Sequence, residues 1–420
     1  MRKKRKRAEF YRGFRFFVDF CPRAFAYSAP RCYNGSGVNT DEKQLNTVPR
    51  MHYVAAFLRN NIVLVVALVA AAVSCCFVPP DGEYVGYFDL RTLSSLFGMS
   101  AVITAMKRQN VFRALADKLI KRFRTTRSLV AALVAITYLA SMLIANDMAL
   151  LTFLPLGFLV LSSTGKQKYM AFTFIMQNIA ANLGGMLTPF GNPQNLYLYT
   201  KFNIPNGEFM GIMAPPFILS VVLITLCCII FVKNEPLMIS DEKIELNGKR
   251  TALYLALFAL AIAIVFRGIP YWIGLIIIPA VLFFADRHAL ESVDYPLLFT
   301  FVFFFIFAGN MARMDAVRNF FSALLSKNTL LFSALSCQCI SNVPSAILLS
   351  QFTGNYAELL IGVNVGGVGT LIASLASLIT FREYVKHDPK STRRYIAEFS
   401  AFNFGFLIIL IAFEQFVMKV

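Results

Sequence analysis

Long apolar runs separated by short loops rich in Lys and Arg make up most of this chain. The runs fall at 53–78, 88–106, 128–162, 168–199, 211–232, 251–267, 271–285, 295–309, 330–352, 355–381 and 397–418. A helix rises ~1.5 Å per residue and the hydrocarbon core is ~30 Å thick, so about 20 apolar residues suffice to cross it. The pattern predicts an all-α polytopic membrane protein.

Two runs do not read as simple spans. Residues 128–162 would form a helix of roughly 50 Å, too long for one crossing and too short for two with a loop. Lys121, Arg122, Arg124 and Arg127 precede the run and Lys166 and Lys168 follow it, so both ends belong on the cytoplasmic side. A re-entrant helical hairpin satisfies length and charge together. Its bend is expected at 145–147, where Asn146 and Asp147 interrupt the apolar run. Non-helical backbone at that depth is tolerated only inside protein or along a cavity, and an intramembrane carboxylate is a functional candidate by default. The second run, 330–352, carries Ser341, Asn342, Val343 and Pro344 at its centre. Pro344 opens the helix there, and Ser341 and Asn342 can serve the freed backbone groups.

A third interruption lies inside 168–199, where "GNPQN" at 191–195 breaks an otherwise apolar helix. The segment containing it repeats. "NLGGMLTPFGNPQNL" from Asn182 aligns without a gap on "NVGGVGTLIASLASL" from Asn364, matching Gly184 and Gly185 to Gly366 and Gly367, and Thr188 to Thr370. Each copy follows a hairpin candidate with a central Asn. An amphipathic stretch precedes each hairpin, "NVFRALADKLIKRF" and "MDAVRNFFSALLSK", suited to lie along the membrane interface. The chain therefore reads as two units, 51–232 and 251–420, joined by a cytoplasmic linker at 233–250.

Charge orients the units. The loop 107–127 holds eight Lys or Arg against one acid, and 382–394 holds five, so both are cytoplasmic. Tracing spans between them opens the first hairpin to the cytoplasm and the second to the outside. The expected architecture is a pair of inverted repeats with about nine full spans plus two re-entrant hairpins. Paired broken helices of this kind mark a midplane binding site, where unwound carbonyls coordinate cations and half-helix N-termini favour anions.

Composition narrows the function. Of 420 residues 57% are hydrophobic and 15% charged, with a mean hydropathy of +0.61. The net charge of +17 sits in short loops beside spans, which speaks for membrane topology and not for nucleic acid. The eight Cys show no CxxC spacing. His52, His288 and His387 all lie near run ends, leaving little material for an intramembrane enzyme. No GxxxxGK[ST] loop marks a primary pump. The basic, turn-rich segment 1–50 lacks the apolar core of a signal peptide and is expected to be a disordered cytoplasmic tail. A chain starting at Met51 is expected to suffice.

"ANDMALLTFLP", "NLGGMLTPFGNPQN" and "SNVPSAILL" resemble the ion transporter superfamily, which includes sodium-coupled dicarboxylate symporters and arsenite efflux proteins. The resemblance covers about 53–418 and is nearest to citrate-transporter-like anion permeases. In the dicarboxylate members each hairpin tip carries Ser-Asn-Thr, which binds carboxylate and sodium. Here the tips read Ala-Asn-Asp at 145–147 and Ser-Asn-Val at 341–343, keeping both Asn and losing both Thr. The Asn-Asp pair is similar to the arsenite and sodium/proton branches.

The resemblance implies a secondary active transporter, not an enzyme, moving a small carboxylate or inorganic oxyanion coupled to Na+ or H+ by alternating access. Arsenite or antimonite efflux, or Na+/H+ antiport, is the alternative on the same fold. Substrate-binding residues are expected to be Asn146, Asp147, Asn192, Asn195, Ser341, Asn342 and Thr370. Two cation sites are expected, Asn146 with the backbone at Gly191, and Asn342 with the backbone from Thr370 to Ala373. Gly184, Gly185, Pro193, Pro344, Gly366 and Gly367 are expected to break or pack the helices. A Gly pair is more often simple close packing and a lone Asn simple interhelical bonding. Their recurrence beside both breaks favours the site reading. The expected partners are a small anion and the lipid bilayer of the inner cell membrane, with a cytoplasmic N-terminus. A homodimer is left open, and no cofactor or metal beyond a transported Na+ is expected.

Overall fold

The structure, a computed structural model, describes residues 61–112, 114, 123–236 and 247–417. The basic segment 1–50, most of the first amphipathic stretch and the middle of the 233–250 linker lie outside the described residues.

The described residues form α-helices, with one isolated bridge between Thr125 and Pro236. Helices α1 (Ile62–Phe77) and α2 (Leu90–Arg108) come first. Helices α3 (Thr126–Ser141) and α4 (Asn146–Ser163) are the two arms of the first hairpin. Helices α5 (Met170–Gly184) and α6 (Pro193–Lys201) flank the "GNPQN" break, and α7 (Asn206–Phe231) follows. After the linker come α8 (Gly248–Val265), α9 (Tyr271–Ala285), the short α10 (Arg287–Glu291), α11 (Tyr295–Ala312) and α12 (Asp315–Leu325). The second hairpin is α13 (Thr329–Ile340) and α14 (Asn342–Leu349). Helices α15 (Tyr356–Val365) and α16 (Leu375–His387) flank the second break, and α17 (Thr392–Val417) ends the described chain.

Local chemistry sets several of these boundaries. Asp89 accepts a hydrogen bond from Thr92 N at 3.0 Å, Asn328 from Leu331 N at 2.8 Å and Ser374 from Ser377 N at 3.2 Å, each serving an orphan donor of a first turn. Pro193 opens α6, where its missing N–H costs nothing.

Helices α4, α7, α8, α11 and α17 are each long and apolar enough to cross a bilayer. Together with the shorter apolar helices α1, α3, α9 and α15, they make the chain a multi-pass membrane protein. By length alone this is fewer than the nine expected full spans. Breaks inside 168–199, 330–352 and 355–381 leave pieces of only 8 to 15 residues. Helix α12 buries only Leu325 and meets α13 at a bend of 119°.

Helix α7, with 26 residues, spans about 39 Å and serves as a ruler. Near its start, Glu208 accepts from the Tyr356 hydroxyl at the head of α15, and Glu358 accepts from Leu330 N at the head of α13 at 3.1 Å. Just past its end, Glu235 O accepts from Thr126 N at 2.8 Å, and Val232 O accepts from Arg127 Nε at 2.8 Å. There the Glu235 carboxylate also pairs with Lys166 at 2.5 Å and Lys168 at 2.8 Å. The two hairpins thus open toward opposite ends of α7.

Helices α1 and α11 lie side by side in the same direction, with Val63 near Leu297 and Thr300, and Ser74 bonded to Asn310 at 3.0 Å. Helices α2 and α9 do likewise, with Gly98 against Ile278 and Arg108 paired with Asp286 at 3.1 Å. Beyond α11, Arg313 pairs with Asp81 at 2.7 Å and holds that carboxyl below its usual range.

Candidate functional site

At the first break α5 stops at Gly184, turns once through Gly185–Leu187 and leaves Thr188 extended. Helix α6 restarts after an extended Asn192 (φ −139°, ψ 145°). The helix end frees carbonyls that lipid cannot satisfy. Asn195, fully buried, gathers them: its Nδ2 donates to Gly185 O at 3.1 Å, Met186 O at 3.2 Å and Thr188 O at 3.3 Å. Gly191 is required by close approach, because a Cβ there would meet Gly185 O at 2.3 Å. The Thr188 hydroxyl donates to Met142 O at 2.5 Å, tying this break to the bend of the first hairpin.

The second break is served from the hairpin. Gln338 on α13 donates to Gly366 O at 2.9 Å and Val368 O at 3.2 Å and accepts from Thr370 N at 2.8 Å. The Thr370 hydroxyl donates to Gln338 O at 3.1 Å. Gly369, at φ 129°, adopts a conformation that a side chain would strain. The bend between α13 and α14 is a single residue, Ser341, with φ 73° and ψ 160°. Strain of this kind is typical of ligand clamps and switch regions. The first hairpin instead turns over Met142 to Ala145.

Buried carboxamides join the two tips. Asn146 donates to Asn182 Oδ1 at 3.2 Å, Asn182 donates to Asn178 O at 3.1 Å, and Asn178 donates to Asn403 Oδ1 at 3.3 Å. On the other side Asn364 donates to Asn195 Oδ1 at 2.6 Å and to Leu360 O at 2.8 Å. Its own Oδ1 accepts from Asn192 and Gln194, each at 3.3 Å. The networks meet where Asn192 donates to Asn182 O at 3.4 Å, and where Gly367 lies between Asn342 and Asn182. Each tip Asn also folds back on itself: the N–H groups of Asp147 and Val343 donate to Asn146 and Asn342 Oδ1, both at 2.9 Å.

A cavity of about 40 Å³ sits between the tips, lined by Asn146, Asp147, Pro193, Gln194, Ser341 and Asn342 among others. Of the sequence-predicted residues, Asn146, Asp147, Pro193, Ser341, Asn342 and Pro344 all reach it. Asn192, Asn195 and Thr370 instead hold the unwound backbone behind it. Of the two expected cation sites, the second has Asn342 beside Ala373, with Asn342 N donating to Ala373 O at 2.9 Å. In the first expected cation site, Asn146 and Gly191 share no hydrogen bond among the described residues. Asn146 bonds Asn182, while Gly191 packs on Gly185 and Thr188. Gly184 and Gly366 sit against the hairpin arms, a Cβ on Gly184 meeting Tyr138 O at 2.4 Å and one on Gly366 meeting Ala334 at 2.8 Å.

Sequence reasoning missed Gln194, Gln338, Asn178 and Asn403 as members of this assembly, and used Asn182 and Asn364 only as repeat markers. The available signal was plain, since each is a carboxamide inside an apolar run. Among the described residues no three His, Cys, Asp or Glu side chains cluster as metal ligands.

A family model described as a citrate transporter matches residues 53–376, more than half of the chain. The chain belongs to the citrate transporter family. It is a membrane transporter, and its relatives carry transporter or membrane-protein names. An uncharacterized transporter of Methanocaldococcus jannaschii is 31% identical over 77% of this chain and 89% of its own length. The inner membrane protein YbiR of Escherichia coli is 30% identical over 70% of this chain and 80% of its own. The silicon efflux transporter LSI3 of Oryza sativa subsp. japonica is 27% identical over 44% of this chain and 40% of its own.

Proposed function

We propose that this family member is a secondary active transporter of a small anion, a carboxylate or inorganic oxyanion, coupled to Na+ or H+. On this reading the two halves, 51–232 and 251–420, are inverted repeats. The cavity between the hairpin tips is the substrate site, and alternating access opens it by way of one hairpin and then the other. The observation that carries the proposal is the meeting of two hairpins at one amide-lined cavity while they open toward opposite ends of α7. The parallel pairs α1 with α11 and α2 with α9 support the inversion, since each pair joins the corresponding positions of the two halves in exchanged order. The basic end of the molecule, with Arg127, Lys166 and Lys168, belongs to the cytoplasm by the positive-inside rule. That orientation gives a cytoplasmic N-terminus, and the likeness to YbiR supports the inner membrane.

A second reading has its own observation. The half-buried Asp147 carboxylate makes no hydrogen bond and no ion pair among the described residues. A carboxylate left free at a transport site suits cation exchange or efflux of a protonated oxyacid, and LSI3 is named for efflux.

Proteoliposome flux with a panel of anions, with and without Na+ and pH gradients, separates the readings. The symport proposal expects accumulation of one anion driven by an inward Na+ or H+ gradient. Asn146→Ala and Asn342→Ala are expected to abolish it while insertion is retained. Asp147→Asn is expected to remove its pH dependence, its gradient dependence, or both. Gradient-driven flux that survives both Asn variants unchanged refutes the site.

A further inference from the structure

We propose that Lys201 forms an outer anion-capture site, which takes the carboxylate or oxyanion head of the cargo before the inter-tip cavity opens to the outside. The inference rests on the reading of that cavity as the transport site and adds a second, more external stop on the way to it.

Helix α6 supplies the path. Gln194 lines the cavity, and Tyr197 and Lys201 follow it at the spacing that puts all three on one face of the helix. At ~1.5 Å per residue, Lys201 stands about 10 Å further out than Gln194, at the end toward which the second hairpin opens. Between them Tyr197, only 3% exposed, bars the way. Its hydroxyl meets Ser350 Oγ at 3.0 Å and accepts from Gln351 Nε2 at 3.4 Å, both just past the end of α14. Its ring packs on Phe305 of α11 at 5.5 Å between centroids. Above this closed gate the ammonium of the half-buried Lys201 lies 5.8 Å from the centre of the Tyr197 ring.

Lys201 makes no hydrogen bond and no ion pair among the described residues. Asp89, the acid whose charge reaches it, is bound instead to Thr92, accepting from N at 3.0 Å and from Oγ1 at 2.6 Å. A lysine suits a helix C-terminus, but the last carbonyls of α6 are already served. Phe202 N donates to Leu198 O at 3.0 Å, and Arg267 Nη2 donates to Tyr199 O at 2.8 Å. Arg267 and Arg91, also without an ion pair among the described residues, both bring their charge to Tyr199 on the same helix. Four further acids at this end are engaged: Arg313 holds Asp81 and Glu83, Tyr356 donates to Glu208, and Leu330 N donates to Glu358. Positive charge left unneutralised above a closed gate draws an anion. The repeat sets this end apart. At the offset that matches Asn182 to Asn364, Lys201 falls on Glu383 at the opposite end, an acid covered by His387 at 3.0 Å and Lys386 at 3.5 Å. The two mouths thus differ in sign at matched positions, and capture belongs to the outer one.

The test is the reactivity of Lys201 toward an impermeant N-hydroxysuccinimide ester, read by peptide mass spectrometry on the full chain in phospholipid-free detergent. Citrate, succinate, phosphate and sulfate are each titrated against chloride at constant ionic strength. At least one is expected to slow acylation of Lys201 saturably, by about fivefold or more, while Lys327, exposed at the same end, keeps its rate. No protection by any of the four overturns the proposal, as does equal protection of Lys327. Protection seen only after anionic phospholipid is added also overturns it, by assigning the lysine to a lipid headgroup. In oriented proteoliposomes Lys201→Gln is expected to raise the KM of the transported anion presented outside by about fivefold, with less effect on kcat and none on the KM from inside. Lys201→Arg is expected to restore it. A lysine that only steadies α6 would lower the melting temperature of Lys201→Gln and leave both KM values alone, which overturns the proposal. The labelling reads the parent chain, so it decides even where Lys201→Gln does not fold. Flux of none of the four anions removes the transport reading, whereas protection of Lys201 in the same chain leaves the anion site standing.

Discussion

Gln338→Met tests whether the second break is held by the hairpin beside it. The substitution keeps the side-chain volume and deletes the carboxamide. Three backbone groups then lose their only hydrogen-bond partner among the described residues: Gly366 O, Val368 O and Thr370 N. Ala334 O, also bonded to Gln338, keeps its place in the α13 helical ladder. Side-chain hydrogen bonds inside bilayers average ~0.6 kcal/mol, which gives a lower figure of about 2 kcal/mol for three. Buried unsatisfied groups cost ~1–3 kcal/mol each, and taking ~2 for each gives about 6 kcal/mol. The corresponding position in the first hairpin, four residues before Asn146, is Met142, which has no amide to offer. There the tie is a single bond from Thr188, so Thr188→Val should cost only about 1 kcal/mol. Reversible unfolding in mixed micelles of increasing SDS content measures both. A Gln338→Met loss below about 0.5 kcal/mol, or one no larger than that of Thr188→Val, would refute the reasoning.

Other outcomes follow from particular contacts. Gly362→Ala should cost about 1–3 kcal/mol or block insertion, since a Cβ there would lie 1.9 Å from Ser333 Oγ and 2.7 Å from Leu330 O. Gly211→Ala, with nothing within 4 Å, is the neutral control in the same SDS titration. Lys166 and Lys168 hold the Glu235 carboxyl down to about 2, so its clamp on the first hairpin is fully present above the usual glutamate range and lost as pH falls through that value. A spin-label distance between residues 125 and 236 should stay constant from pH 7 to about 4 and lengthen only below about 3. Lengthening already at pH 5 would contradict the assignment. A cysteine at residue 388 should react with an impermeant thiol reagent only from the cytoplasmic side, and labelling from the periplasmic side would sink the inverted topology.

Much of this arrangement was legible in the chain because hydropathy and loop charge act locally. The length of 128–162 and its basic flanks gave the first hairpin, with its bend within a few residues of the observed one. Pro193 with Asn192, and Pro344 with Ser341, marked breaks that the structure contains. The side-chain polarity of the site was not legible. Which way Gln194 turns its carboxamide depends on Asn364, which lies 170 positions downstream and on another helix. Gln338 escaped notice for a similar reason, because it serves backbone that reaches it only after the chain has folded back. Periodicity likewise could not predict that α1 would choose α11, since an apolar face does not name its neighbour.

That choice of neighbour sets a timetable. The bond between Ser74 and Asn310 joins positions 236 residues apart, and the Asp81–Arg313 pair joins positions 232 apart. At ~5–20 residues per second, a ribosome needs roughly 12 to 50 seconds to supply the second partner after the first has emerged. For that interval α1 waits in the bilayer with Ser74 lacking Asn310, and Asp81 waits at the membrane edge without its arginine. The molecule cannot be finished half by half during synthesis. The first of its described helices is seated late.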